Sequence, residues 1–299
     1  QADRIVIVPD GLLDLFPFAA LPDPNDVALP KARSPLIARH ELVMSPMLAE
    51  IGGMSEEIEA EGEGRGRVLV FADPAYGAKG SIVKLPGTVP PLVVPVERSP
   101  VASLEVRRLS RLLERRSPTI LTGTEATAQR LLSAGEGNFD LLHLGVACEI
   151  GVQRPEFSFL ALALRDEQGT PLNGVLLLPD IFGLRLPAPF LFLSGCRWRD
   201  LSSPSALPRF VEGWRHAGAE GMILSLWRVE DVARAAFVEH FYRKVVKRGL
   251  PPAQALREVQ LAMRDGSIWE REARRTLRRN PWHHPYYWAG FVHFGEGME

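Results

Sequence analysis

Short runs of apolar residues recur along the chain. Their members are apolar at successive positions, which is typical of interior strands that are covered on both faces. The segments between several of them show helical periodicity. The predicted strands lie at 5–8, 68–71, 119–121, 141–144, 190–193, 221–226 and 291–294, and the predicted helices at 104–114, 127–133, 209–216, 231–248 and 253–264.

The alternation of strands and helices determines the fold class that we expect. Strands separated by helices join into a parallel sheet through right-handed crossovers. The pattern therefore predicts an α/β fold with a mainly parallel central sheet and helices on both faces.

Two stretches lack periodicity and are predicted to be surface loops. Residues 52–66 are rich in charge and glycine, and residues 77–101 are rich in glycine and proline. Because no repeat or interdomain linker is evident, we expect residues 1–299 to form a single domain. The chain starts at Gln1 without a signal-like segment. We therefore expect it to be excised from a longer protein whose N-terminal part carries regulation or target recognition.

The charge and the cysteine content of the chain limit the classes of partner and the cellular compartment that we expect. With 35 basic and 36 acidic residues, the formal net charge of −1 provides no field that would attract nucleic acid or a membrane surface. The arginines near the C-terminus, between 271 and 279, are interpreted as a solvated helix face. Two cysteines cannot build a disulfide framework, and no apolar run is long enough for a membrane span. We therefore expect a cytoplasmic protein with reduced thiols.

No cofactor or metal is predicted. The glycine-rich segment 62–66 precedes a strand, whereas a phosphate-binding loop follows one. The adjacent His283 and His284 lack ligand spacing with the cysteines.

Candidate chemistry lies at the carboxyl ends of two predicted strands, where α/β sheets bind ligands. One strand ends in Ser194, Gly195 and Cys196, and the other exits through Ala147 and Cys148. A cysteine so placed could attack a carbonyl if a base lay within reach, but a buried cysteine that only packs is the more common case. His143 lies inside its apolar run and is interpreted as a satisfied interior histidine.

Eight segments in order resemble the CHAT family of caspase-like cysteine peptidases, and the resemblance covers nearly the whole chain. These segments are 7–12 with 16–21, 69–76, 121–127, 140–147, 190–196, 217–219 with 225–231, 241–242 with 252–256, and 284–292.

The resemblance implies a nucleophile and a general base. The family's histidine strand reads His-x-x-x-His-Gly. His143 matches the first histidine, Ala147 matches the catalytic one and Cys148 matches the glycine, while the nucleophile maps to Cys196. The resemblance also implies an oxyanion hole formed by the backbone N–H groups of Cys148 and Cys196.

The chain departs from the family pattern at two adjacent positions. An alanine side chain cannot accept a proton from the thiol or protonate the leaving amine, so Ala147 predicts a hydrolytically inactive chain. An engineered His-to-Ala exchange is favoured, because Cys196 and its flanking residues are retained. The alternative is a natural pseudopeptidase. Cys148 is a poor substitute base for a thiol of similar pKa.

The resemblance also implies a specificity loop after the next strand. Asp231, with Glu230 as second choice and Trp227 beside them, would line the pocket for the residue before the cut and select Arg or Lys. Asp231 is equally suited to cap the helix at 231–248.

Two functions remain open. The first is an endopeptidase that cuts a protein partner under control of the missing regulatory region or an activating partner. The second is a protein-interaction scaffold without cleavage. CHAT domains are often fused to repeat or sensor modules in bacterial stress or defence systems, so the resemblance implies a role of that kind.

Overall fold

The computed structural model describes residues 3–26, 34–46, 67–77, 80–85, 92–99, 102–137, 139–152, 154–186, 190–198, 205–269 and 280–295. Contacts group the chain into two compact units. The first unit combines residues 1–64 with 223–299, and the second comprises residues 65–222. The loop predicted at 52–66 and the arginines between 271 and 279 lie outside the described residues.

The elements are numbered in chain order. The strands are β1 (Arg4–Ile7), β2 (Glu41–Met44), β3 (Val68–Pro74), β4 (Ser81–Leu85), β5 (Leu92–Val96), β6 (Thr119–Gly123), β7 (Leu141–Gly145), β8 (Ala147–Ile150), β9 (Phe159–Ala161), β10 (Val175–Leu177), β11 (Phe190–Leu193), β12 (Cys196–Trp198), β13 (Gly221–Ser225) and β14 (Phe291–Phe294). The helices are α1 (Ala102–Leu113), α2 (Ala128–Leu132), α3 (Leu178–Phe182), α4 (Ala206–Ala217), α5 (Asp231–Arg248) and α6 (Pro252–Arg264).

The second unit contains four parallel strands in the order β11, β7, β3 and β6. Strands β3 and β11 are buried along their whole length, and β7 is buried except at its last residue. Helix α1 packs against β3. The apolar runs therefore form interior strands, as their pattern predicts.

A smaller sheet in the same unit has the order β10, β9, β8 and β12. Its β8 and β12 are parallel, and β9 is antiparallel to both β8 and β10. Most of these strands have only three residues. Such short segments carry too little periodicity to be recognised from sequence, so none of these four strands was predicted.

Part of the second predicted loop is regular, so the prediction for 77–101 is wrong there. Strands β4 and β5 form an antiparallel hairpin. Val83 and Leu85 of β4 and Val94 and Val96 of β5 are buried, and they alternate with exposed residues. This period of two is the signature of a half-buried strand. The prolines and glycines around it obscured the signal.

In the first unit, β2 pairs in parallel with β1 and β14. Helix α6 packs against β2 and β14, and its Arg257 donates hydrogen bonds to the carbonyls of Ile37 and Ala38. Most strand pairs in the two units are parallel. The predicted α/β class with mainly parallel strands is therefore confirmed.

Candidate functional site

The register between β7 and β11 places their carboxyl ends, which the sequence identified as candidate sites, next to each other. Strands β7 and β11 are parallel neighbours, with Leu144 opposite Leu193. Each continues into a strand of the smaller sheet, β8 beginning at Ala147 and β12 beginning at Cys196. Cys196 lies opposite Cys148 in the β8–β12 pair.

Cys148 and Cys196 are joined by a disulfide, with their Cα atoms 4.3 Å apart. Both residues are buried. The expectation of two reduced thiols is therefore wrong in this structure. Cysteines 48 positions apart cannot be recognised as partners before the strand pairing is known.

Ala147 is partly exposed and contributes no titratable side chain. Its N–H donates to the Tyr76 hydroxyl over 2.9 Å, and that hydroxyl donates to the Ala161 carbonyl over 2.6 Å. Burial, as the largest cause, raises the pKa of Tyr76. The phenol therefore stays protonated near neutral pH and is not a base that could replace a histidine at 147.

Gly195 brings the two strands into close contact. A Cβ atom there would lie 2.1 Å from the Val146 carbonyl oxygen, so the close approach requires glycine. The Cys148 N–H donates to the Gly195 carbonyl over 3.3 Å. In this structure that N–H is engaged within the protein, and its role in an oxyanion hole stays a prediction.

An ion pair joins the same two strands one residue further on. Arg197 donates from Nε to Oε1 of the buried Glu149 over 2.6 Å. This hydrogen bond is the largest cause of the raised pKa of Arg197. The β8–β12 contact is thus held by a covalent bond and by a charge-assisted hydrogen bond.

A buried polar network lies beneath the site. Glu105 of α1 places Oε1 2.9 Å from Nε2 of His143 and 2.8 Å from the hydroxyl of Ser194, which donates to it. All three side chains are buried. The interpretation of His143 as a satisfied interior histidine is confirmed. The network ties α1 to β7 and to the end of β11.

The predicted specificity residues lie in the first unit and have local partners. Both carboxylate oxygens of Glu230 accept from the start of α5, from Val232 N–H over 3.0 Å and Ala233 N–H over 2.9 Å. Glu230 is therefore the helix cap, and the alternative that Asp231 fills that role is wrong.

Asp231 instead lies in the first turn of α5 beside two arginines. Its carboxylate oxygens are 3.8 Å from Arg228 and 3.4 Å from Arg234. The indole of Trp227 stacks on Tyr286 and donates to its carbonyl over 2.9 Å. A pocket role for Glu230, Asp231 and Trp227 stays a prediction.

Sequence reasoning missed Tyr76, Glu105, Glu149 and Arg197. Glu105 lies in a predicted helix, where a carboxylate is normally assigned to the solvent face. Tyr76 lies within a family-like segment, but nothing local indicates that its hydroxyl reaches Ala147. These four residues are recognisable only from tertiary contacts.

Within the described ranges, no group of three or more His, Cys, Asp or Glu side chains could hold a metal ion. No helix in that part of the chain is long and apolar enough to cross a membrane.

A family model of the CHAT domain matches residues 1–296. Among solved structures, the chain is similar to the Arg-specific cysteine proteinase gingipain R, at 12% identity with a TM-score of 0.46. That match covers 86% of this chain and 55% of the gingipain chain, so this chain spans about half the length of that protein. No curated protein matches significantly.

Proposed function

Because this chain belongs to the CHAT domain family, we propose that it is a non-hydrolytic member of these caspase-like cysteine peptidases and acts as a protein-interaction domain. The observation that carries the proposal is the Cys148–Cys196 disulfide beside Ala147. The family's nucleophile position is blocked, and its base position has no ionisable side chain.

The chemistry of thiol attack supports this function. A cysteine attacks a carbonyl as the thiolate, and a positioned base normally removes its proton. With Sγ of Cys196 bonded to Cys148 there is no thiolate. Reduction would restore the thiol, but Ala147 would still neither accept its proton nor protonate the leaving amine.

The position of Cys148 favours a natural loss of activity over an engineered exchange. A designed His-to-Ala change accounts for residue 147 alone. The cysteine that follows it stands where the family has glycine, and it is the residue that bonds to Cys196. A second, matching departure from the family pattern is better explained by relaxed selection for hydrolysis.

The alternative is a parent endopeptidase that cuts a protein under control of a regulatory region or partner. In that case Cys196 attacks the carbonyl, a histidine at 147 is the base, and Asp231 or Glu230 with Trp227 selects the residue before the cut. Retention of Cys196 after Ser194 and Gly195 supports this alternative.

Hydrolysis assays on matched variants separate the two functions. The chain as written, Ala147→His, and Ala147→His combined with Cys148→Gly are incubated with peptides carrying Arg, Lys, Leu or Met before the bond. Each is assayed with and without reductant, and Cys196→Ser versions control for contaminating peptidases. We expect no cleavage by the chain as written under either condition.

Two results would change the conclusion. Cleavage by the reduced chain as written, abolished by Cys196→Ser, would overturn the proposal. Recovery of Cys196-dependent cleavage by Ala147→His alone would support the parent endopeptidase. Silence of all the variants would favour a natural pseudopeptidase.

A further inference from the structure

A groove of about 890 Å³ runs along β4 in the second unit. All of β4 lines it, whereas β5 contributes only its end, at Pro95 and Val96. The other side is formed by Leu172, Val175 and Leu177, together with neighbouring residues of the segment leading to α3. That side also contains the polar residues Arg165, Asn173 and Asp180, so the groove is bounded by a strand on one side and by a mixture of apolar and polar side chains on the other.

The edge of β4 that faces away from β5 offers backbone hydrogen-bonding groups. In an antiparallel pair, opposed residues alternate between those whose N–H and C=O groups point at each other and those whose groups point outward. Pro95 has no N–H and lies opposite Ile82. Proline within a sheet occupies an outward-pointing position. Ile82, and Lys84 two residues later, therefore direct their backbone groups away from β5.

No third strand occupies this edge in the part of the chain that the structure describes. There, β4 has β5 as its one neighbour in a two-stranded sheet. An open strand edge is a template for pairing with another strand. A third strand could therefore pair with the open edge of β4 and bury some of its own side chains there.

The apolar side chains at alternate positions of such a strand would contact Leu172, Val175 and Leu177. Val175 and Leu177 pack against the cluster that contains the buried Val83 and Leu85 of the hairpin. Leu172 is 36% exposed at the groove. The inward side chains of a strand beside β4 would lie next to the buried face of the hairpin. They would cover Leu172, Val175 and Leu177.

We propose that this groove binds an extended peptide segment of a partner protein by strand addition to β4. The segment would have apolar residues at alternate positions and a carboxylate on its outer face opposite Lys84. Opposite charges on neighbouring strands stabilise pairing, and Lys84 is exposed on β4. Main-chain hydrogen bonds would supply affinity, and the alternate side chains would supply specificity. The site requires no hydrolysis, and its test is a binding measurement.

The chain offers a matched pair of proline variants. Ile82 and Val93 are 65% and 49% exposed on the two strands of the hairpin. Val93 lies opposite Lys84, so its N–H also points outward, but from the far edge. Ile82→Pro removes a donor that faces the groove, and Val93→Pro removes a donor on the other side of the same hairpin.

The probe is fluorescein-labelled Val-Thr-Val-Glu-Val-Thr-Val, and its binding is followed by fluorescence anisotropy. We expect Ile82→Pro to weaken binding at least about tenfold, consistent with the loss of a main-chain hydrogen bond and of strand geometry, and Val93→Pro to change it less than about twofold. A peptide N-methylated at alternate residues keeps the side chains but loses donors, and it should bind at least about tenfold more weakly.

Two further variants keep the test valid if a proline variant does not fold, which circular dichroism would reveal. Leu172→Asp leaves β4 intact and should abolish binding. Lys84→Glu should reverse the preference between the Glu-centred peptide and one with a central Lys. Equal binding by the two proline variants, or equal binding of the N-methylated and unmodified peptides, would overturn the proposal. Undetectable binding to the unmodified chain would overturn it as well.

Discussion

Gly145 leaves no space for a side chain beside Glu105. A Cβ atom at this glycine would lie 2.7 Å from the carboxylate oxygen Oε1 of Glu105 and 3.2 Å from Nε2 of His143. The same oxygen is hydrogen-bonded to the side chains of His143 and Ser194. Gly145 lies between the two histidine positions of the family motif, 143 and 147, and the network beneath the strand requires a glycine there.

We expect Gly145→Ala to lower the free energy of unfolding by about 1–3 kcal/mol, the usual cost of overpacking a buried site. Urea denaturation followed by circular dichroism measures it. A Glu105→Ala background removes the closest of the three contacts and leaves those with Ala72 and His143 at 3.2 Å, so the two changes should be non-additive by at least about 0.5 kcal/mol. Strict additivity would show that the Glu105 carboxylate is not what excludes the methyl group.

Reduction of the disulfide should destabilise the second unit. The bridge closes a loop of 48 residues, for which the chain-entropy relation gives a stabilisation of up to about 4 kcal/mol. Denaturation curves with and without a phosphine reductant measure the difference. The double variant Cys148→Ser, Cys196→Ser is the control and should not respond to reductant. An identical response of both proteins would argue against the bridge.

Acid should destabilise the first unit through His293. Burial, aided by the charge of Arg4, lowers the pKa of His293 to about 4. Between about pH 6.5 and 4 the unfolded chain binds a proton that the folded chain does not, so stability falls as pH falls through this window. Over that range the loss approaches about 3 kcal/mol.

His293→Phe removes this dependence, and the exposed His283→Phe provides the control. Asp14 acts in the opposite direction, since its pKa is raised to about 6, chiefly by burial. Asp14 is present in every variant, so the difference between the stability profiles of His293→Phe and the unmodified chain isolates His293. Parallel profiles from pH 4 to 7 would contradict the assignment.

The cap at Glu230 should contribute measurably to stability. Glu230→Ala removes the acceptor for two N–H groups at the start of α5 and should cost about 1 kcal/mol. The exposed Glu220→Ala serves as a control with equal charge loss. Thermal unfolding of the two variants gives the comparison, and equal midpoints would show that the cap contributes little.

The sequence predicted those parts of the fold whose signal is local. Strands such as β7 and β11 were predicted from runs of apolar residues. The bounds of α5 agree with the predicted 231–248, because both ends of the helix carry a local signal: an acidic cap at the start, and Gly249 in the left-handed region after the end. The hairpin β4–β5 was missed because the surrounding prolines and glycines obscured a period of two.

The candidate site was predictable only in outline. Parallel strands end at the same edge of a sheet, so Ala147 and Cys196 could be placed near each other. The disulfide and the Glu105 network could not be predicted, because each depends on register between segments far apart in sequence. The role of Glu230 could not be predicted, because Glu230 and Asp231 are adjacent carboxylates and the sequence does not show which of them accepts the N–H groups at the start of α5.

The way the two units divide the sequence determines which of them can fold first during synthesis. In the first unit, β14 from the end of the sequence pairs with β2 from its beginning, through Phe294 and Met44. During synthesis, β2 therefore cannot pair with β14 until residue 294 has been added to the chain. Every contact within the second unit is available once residue 222 has emerged. The ribosome thus releases the disulfide-bearing unit for folding first, and the unit that carries both ends of this chain is completed last.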